Sequence, residues 1–202
     1  VSTGAKHSLA NAIQVMINPG DEVIIFAPYW VSYSEMVKLA EGTSVIIEGS
    51  FENDFKVTPQ QLEEAITDRT KLVMYASPNN PTGSVYSEAE LRAIADVLEK
   101  HPNIYVLADE IYEYINFTEE GHFSMGSIPF MKDRVITVNG VAKGFAMTGW
   151  RIGFIGAAKW IADGVEKLQG QVTSGTNSIA QKAAVAAYNG PLDASKEMTA
   201  AY

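Results

Sequence analysis

The chain has 202 residues, 47% of them hydrophobic, with a formal net charge of −9 and no cysteine. That is enough for one sizeable domain with its own core, and the acidic balance argues against a nucleic acid or an anionic membrane surface, either of which would need clustered basic residues. Without cysteine there is no disulfide scaffold and no thiolate metal site.

His7, His101 and His122 are far apart and show no metal-ligand spacing, so no metal is expected. No apolar run approaches the roughly 20 residues of a membrane span and no signal peptide is visible, which leads to the expectation of a soluble, cytoplasmic protein. Residues 1–6, VSTGAK, run straight into a helical pattern in which Leu9, Ile13, Met16 and Ile17 share a stripe. It extends to Asn18, and Pro19-Gly20-Asp21 ends it. A helix opening at Gly4 offers free N–H groups and a positive dipole end, a ready anion site, although many ordinary helices also begin after glycine. Val23 to Ala27 is a short apolar strand followed by Pro28-Tyr29-Trp30. Trp30 has two readings: a core residue, the commoner fate of such a tryptophan, or a flat π face offered to a ligand.

A helix over about 31–40, a strand over 44–48 and a polar connection over 49–56 come next. Thr58 and Pro59 occupy the N-cap and first position of a helix reaching about Thr67. Leu72 to Ala76 is a further buried strand. It runs into Ser77-Pro78-Asn79-Asn80-Pro81-Thr82-Gly83, a loop of turn formers. This is either an ordinary connection or a ligand loop, since α/β proteins bind ligands at the carboxyl ends of parallel strands. Ser87 caps a helix over 88–100. The strand 105–108 ends in Asp109-Glu110-Ile111-Tyr112, and an ionised aspartate there either faces a cation or caps a following helix. Residues 117–133 form a looser segment.

The stretch 137–157, TVNGVAKGFAMTGWRIGFIGA, opens in an apolar strand over 135–138 that ends at Asn139-Gly140. Lys143 then stands among glycines and apolar residues with no carboxylate close by in sequence. Desolvation there favours a neutral, nucleophilic amine of the kind that condenses with an aldehyde. Arg151, between Gly149 and Gly153, is a fixed cation that a ligand can approach. The bland alternative is a lysine snorkelling from a strand end and an arginine paired with a surface acid. A strand over 152–157, helices over about 159–169 and 178–188, a polar turn over 171–177 between them, and an unfinished helix over 194–202 complete the chain. Alternating strands and helices predict a doubly wound, three-layer α/β fold with a mostly parallel sheet. Neither G-x-G-x-x-G nor the P-loop pattern occurs.

Lys143 together with Ala146-Met147-Thr148-Gly149-Trp150-Arg151-Ile152-Gly153 resembles the Schiff-base lysine segment of the class I and II aminotransferases, fold-type-I enzymes that use pyridoxal 5′-phosphate. Asn80 to Gly83 matches their Asn-Pro-Thr-Gly motif, and APYWVSY at 27–33 is similar to the bacterial-type aspartate aminotransferase branch. The resemblance implies that Lys143 carries the cofactor and moves the proton in catalysis. It implies that Gly4, the following amides of Ala5 and Lys6, and Arg151 hold the phosphate, that Trp30 stacks on the ring, that Asn80 and Tyr112 contact the phenolic oxygen, and that Asp109 pairs with the pyridinium nitrogen. Lys6 is also similar to the lysine that attracts a dicarboxylic substrate's distal carboxylate. Gly140 departs from branches that place a phosphate-binding serine there. The resemblance further implies one antiparallel strand after the lysine, a turn at 173–177 near a dimer interface, and a small second domain built from both chain ends. Residues 1–202 are accordingly expected to be the large domain alone, a fragment. The expected activity is transamination between aspartate and 2-oxoglutarate by a homodimer acting on amino acids and 2-oxo acids. A carbon–sulfur lyase or other β-eliminating enzyme, and a non-catalytic cofactor-binding domain, are the alternatives.

Overall fold

The computed structural model describes residues 1–202, in which seven α-helices surround one six-stranded sheet. Its strands are β1 (Glu22–Ala27), β2 (Thr43–Glu48), β3 (Thr70–Ala76), β4 (Tyr105–Asp109), β5 (Val135–Gly140) and β6 (Gly153–Gly156), in the order β2-β1-β3-β4-β5-β6. The first five run parallel and β6 pairs antiparallel with β5, as the resemblance implied. β1, β3 and β4 are covered on both faces, which is why they are apolar runs and not alternating patterns. β2, at the edge, keeps several residues exposed.

Alternate residues of the strands feed two cores. Ile24, Phe26, Val73, Tyr75, Val106 and Ala108 pack with α3 (Pro59–Ala65) and α4 (Glu88–Glu99). Val23, Ile25, Leu72, Met74 and Leu107 pack on the other face with α1 (Ala5–Met16), α2 (Ser32–Leu39) and α5 (Lys159–Val172). A small third cluster joins Val141 and Ile152 to Ala180 and Ala184 of α6 (Ser178–Asn189). The last helix, α7 (Asp193–Ala201), is tied to the body where Thr199 donates to the Tyr114 carbonyl at 2.9 Å. Thr58 and Ser87 both head full capping boxes, closed by Gln61 and Glu90, and each cap is worth about 1 kcal/mol.

Three expectations change. α1 stops at Met16, two residues early, because Ile17 is already extended at φ −111° and ψ 134°. Residues 117–133 are not loose throughout: Met125, Ile128 and Met131, three apart, turn one apolar face into the core beside α4. Arg134 then seals that layer by donating to the carbonyls of Leu98, His101 and Ile104. Finally, the residues after Asp109 form turns and no helix, which removes the reading of Asp109 as a helix cap.

The start of the chain is pinned to the sheet. Ser2 exchanges backbone hydrogen bonds with Gly153 of β6 at 2.7 and 3.0 Å. Gly153 is required there, because a Cβ would strike the backbone of Gly4 and Ala5. The pairing sets the first turn of α1 beside the carboxyl edge of the parallel strands.

Candidate active site

β4 delivers its last residue, Asp109, on the face of the sheet that carries Leu107, into the layer under α2. The carboxylate is 4% exposed. Burying it without partners would be prohibitive, and two donors meet it. Tyr33 of α2, itself 1% exposed, donates its hydroxyl to Oδ2 at 2.7 Å. The Ile111 amide donates to Oδ1 at 3.3 Å. Burial still dominates and pushes Asp109 up to about 6, with the Tyr33 and Ile111 hydrogen bonds opposing, the Glu110 carboxylate adding to the rise and Lys143 opposing it. The Tyr33 hydroxyl is raised well above its ordinary value by burial and then by Asp109.

Asp109 forms the floor of a cleft of about 250 Å³ at the carboxyl edge of the sheet. Lys143 lies on the loop after β5, half-buried, with Nζ 5.6 Å from the centre of the Tyr112 ring. Asn80, from the turn-rich loop after β3, donates to the Tyr112 hydroxyl at 3.3 Å. That contact joins two residues which the sequence placed in separate motifs. Trp30 lines the cleft from the loop before α2, edge-on to Tyr33 at 5.8 Å. The core alternative for Trp30 therefore holds only for part of its surface. Exposed Lys6, on the first turn of α1, sits over the Trp30 ring at 4.5 Å.

Opposite, the amides of Ala5 and Lys6 have no hydrogen-bond partner, and no side chain caps α1. Arg151 comes alongside them. Its backbone is left-handed at φ 54°, and Nη1 donates to the Thr148 carbonyl at 2.8 Å, which fixes the guanidinium's direction. Gly4 does not line the cleft but makes the approach possible: it has φ 88°, and a Cβ there would overlap the Arg151 guanidinium. Lys6, Lys143 and Arg151 form no salt bridge, so the surface-acid alternative for Arg151 fails. Gly140 has a structural reason for lacking a serine side chain. A Cβ there would lie 2.6 Å from the Ile152 carbonyl oxygen, so the β5–β6 pairing leaves no room for one.

Eight of the nine residues singled out from sequence thus line one cleft, with Gly4 behind it against Arg151, and one further residue was missed. Tyr33 carries the shortest contact to Asp109. The available signal was its position three residues beyond Trp30, whose carbonyl accepts from the Tyr33 amide at 3.0 Å. The donor set suits a flat anion with a basic ring nitrogen: unpaired backbone N–H groups and a guanidinium at one end, a buried carboxylate at the other, and an amine between.

The whole chain, residues 1–202, matches the family model for aminotransferase class I and II. A Petunia hybrida protein named bifunctional aspartate aminotransferase and glutamate/aspartate-prephenate aminotransferase is 50% identical over 93% of this chain and 39% of its own length. The aspartate aminotransferase of Rhizobium meliloti is 45% identical over 100% of this chain and 50% of its own. A crystal structure of the aspartate aminotransferase from Rhizobium meliloti superposes with a TM-score of 0.97 at 44% identity, covering 99% of this chain and 50% of that one. The chain spans about half the length of the curated relatives it matches. With the family's model matched from end to end and the cleft assembled from its motifs, the chain belongs to the class I and II aminotransferases.

Proposed function

We propose that this chain is the cofactor-binding large domain of a pyridoxal phosphate-dependent aminotransferase acting on aspartate and 2-oxoglutarate as a homodimer. The observation that carries the reading is the convergence of three unpaired cations and one buried, tyrosine-bonded carboxylate on a single cleft. Pyridoxal phosphate, when bound, supplies an aldehyde that joins an amine and a ring that accepts electron density from the substrate.

The chain's own residues divide the work. The free amides of Ala5 and Lys6, with Arg151 packed into the space that Gly4 leaves, bind a phosphate group. Trp30 provides an aromatic wall. Asn80 and Tyr112, already hydrogen-bonded, present polar groups to a phenolic oxygen. Asp109, oriented by Tyr33, holds the proton on the ring nitrogen. Lys143 would provide the linking amine and, as a free amine, would move a proton at the substrate's α-carbon. Lys6 is exposed at the rim and free to meet a distal carboxylate, which favours a dicarboxylic substrate. The relatives named for aspartate support the same choice.

The test is borohydride reduction of the intact, cofactor-loaded protein followed by peptide mapping. The label is expected on Lys143. Labelling of Lys6 or Lys159 with Lys143 unmodified would overturn the assignment.

A further inference from the structure

A second buried carboxylate lies behind Asp109, on the far side of the sheet, and takes no part in the cleft. Glu110 is 3% exposed. Its Oε1 accepts from the Ser124 hydroxyl at 2.6 Å, its Oε2 meets His122 Nε2 at 2.9 Å, and its amide donates to the Val138 carbonyl of β5 at 2.9 Å. Two more groups face it. Ligand atoms of Glu110, Glu113 and His122 lie within 4.8 Å of one another. The Tyr75 hydroxyl, on β3, is buried without a partner, and it is raised well above its ordinary value first by burial and then by Glu110.

Two glutamates and a histidine at that spacing have the makings of a metal cage. Here both oxygens of Glu110 are already engaged, and burial raises the Glu113 carboxyl, with Tyr114 and His122 opposing the rise. The Tyr75 hydroxyl and His122 Nδ1 are the buried atoms of this group without a partner. What it does mechanically is fasten residues 122–124 to the residue that follows Asp109.

We propose that Glu110, gripped by His122 and Ser124, is a positioning residue for Asp109: the clamp fixes the carboxyl end of β4, and its carboxylate lays a buried negative field behind the group that meets the ligand. In a poorly solvated site such a field decays slowly with distance. Glu110 is among the groups that raise Asp109, against the opposing Tyr33, Ile111 amide and Lys143. Lys6 and Arg151 share the cleft with them. A cation placed against Asp109 then meets the Asp109 carboxylate directly and feels the Glu110 charge behind it. The inference rests on Asp109 being the ligand-facing acid of the proposed function, though not on which ligand it meets.

Two variants of the intact protein test it, with the Asp109 titration followed by carboxyl carbon-13 NMR in the cofactor-free state. Glu110→Gln removes the charge while keeping the shape, and is expected to lower the Asp109 midpoint by roughly half a pH unit or more. Ser124→Ala strips a donor from Glu110 and concentrates its charge, so the midpoint is expected to rise. Opposite shifts cannot come from general loosening. With pyridoxal phosphate bound, the pH at which its visible absorption band changes is expected to move in the same two directions. Folded variants with an unmoved Asp109 midpoint and merely lower melting temperatures would overturn the proposal, leaving Glu110 a structural anchor. So would one equivalent of divalent metal, found by elemental analysis and lost in Glu110→Gln. If Glu110→Gln does not fold, the sign of the Ser124→Ala shift alone decides. Shifted midpoints in a protein that fails to bind pyridoxal phosphate would uphold the clamp and sink the proposed function.

Discussion

Asp109 is a side chain that costs the fold by its burial and that the proposed function requires. Its carboxyl is raised from 3.8 to about 6, chiefly by burial. A raised carboxyl contributes stability that is fully present below its ordinary value and lost as pH climbs through the folded value. The cofactor-free protein therefore weakens between about pH 4 and 6, by on the order of 3 kcal/mol. Asp109→Asn keeps an acceptor for Tyr33 and removes the buried charge. We expect the variant to be more stable than the parent in urea unfolding at pH 7 and no more stable at pH 4; an equal gain at both values would mean that the charge is not the cause. The same change in the intact, cofactor-loaded protein is expected to lower kcat roughly a hundredfold or more with little loss of cofactor. The carboxylate would keep the ring nitrogen protonated, and that positive charge matters most when negative charge develops during reaction. A kcat within about twofold of the parent would remove Asp109 from the chemistry. Tyr33→Phe, which takes away the 2.7 Å donor, is expected to push the Asp109 midpoint above about 6 in an NMR titration.

At the scale of elements, the proposed anion site depends on how α1 is held against β6. Ser2 and Gly153 are paired, and the space beside Gly153 is filled by the start of α1. Gly153→Ala is expected to displace that turn, costing about 1–3 kcal/mol in thermal unfolding and weakening pyridoxal phosphate binding in calorimetric titration. Full affinity alongside a lowered melting temperature would show that the amides of Ala5 and Lys6 are not the phosphate cradle. Most elements were legible because their signals are local. β1 and β3 are unbroken apolar runs closed by turn formers, and Thr58 and Ser87 carry their capping partners three residues on. What stayed hidden depends on contacts between distant residues. Tyr33 meets Asp109 across 76 positions, and nothing near either residue announces the other. The apolar triplet Met125, Ile128 and Met131 spans only one short 3-10 turn and its continuation, too brief to stand out as a periodic pattern in sequence. The crowding that excludes a serine side chain at Gly140 exists only once β5 and β6 are paired.

At the scale of the whole molecule, the apolar surface and the charge together bear on assembly. Trp150, Val172, Ile179 and Val185 are 49%, 65%, 73% and 56% exposed, all on or near the segment from Arg151 to α6. Trp150 and Ile179 line a shallow recess with Thr3, Thr176 and Asn177, and Arg151 lines both this recess and the cleft. Trp150 and Ile179, exposed together beside the cleft, are the apolar pair that the proposed homodimer would cover with a second copy. Residues 1–202 carry a formal charge of −9 in each copy, so like charges on this part oppose the approach while apolar burial drives it. Added salt screens the repulsion and leaves the apolar term in place. Light scattering of the intact protein is therefore expected to show a dimer whose dissociation constant falls as salt rises from about 0.05 to 0.5 M. Ile179→Asp adds a charge at a position too exposed to disturb the fold. It is expected to weaken association at least tenfold, about 1.4 kcal/mol, while the circular dichroism spectrum stays unchanged. Dimerisation that weakens with salt would point to ion pairs in place of apolar contact, and a dimer unaffected by Ile179→Asp would place the interface on another face.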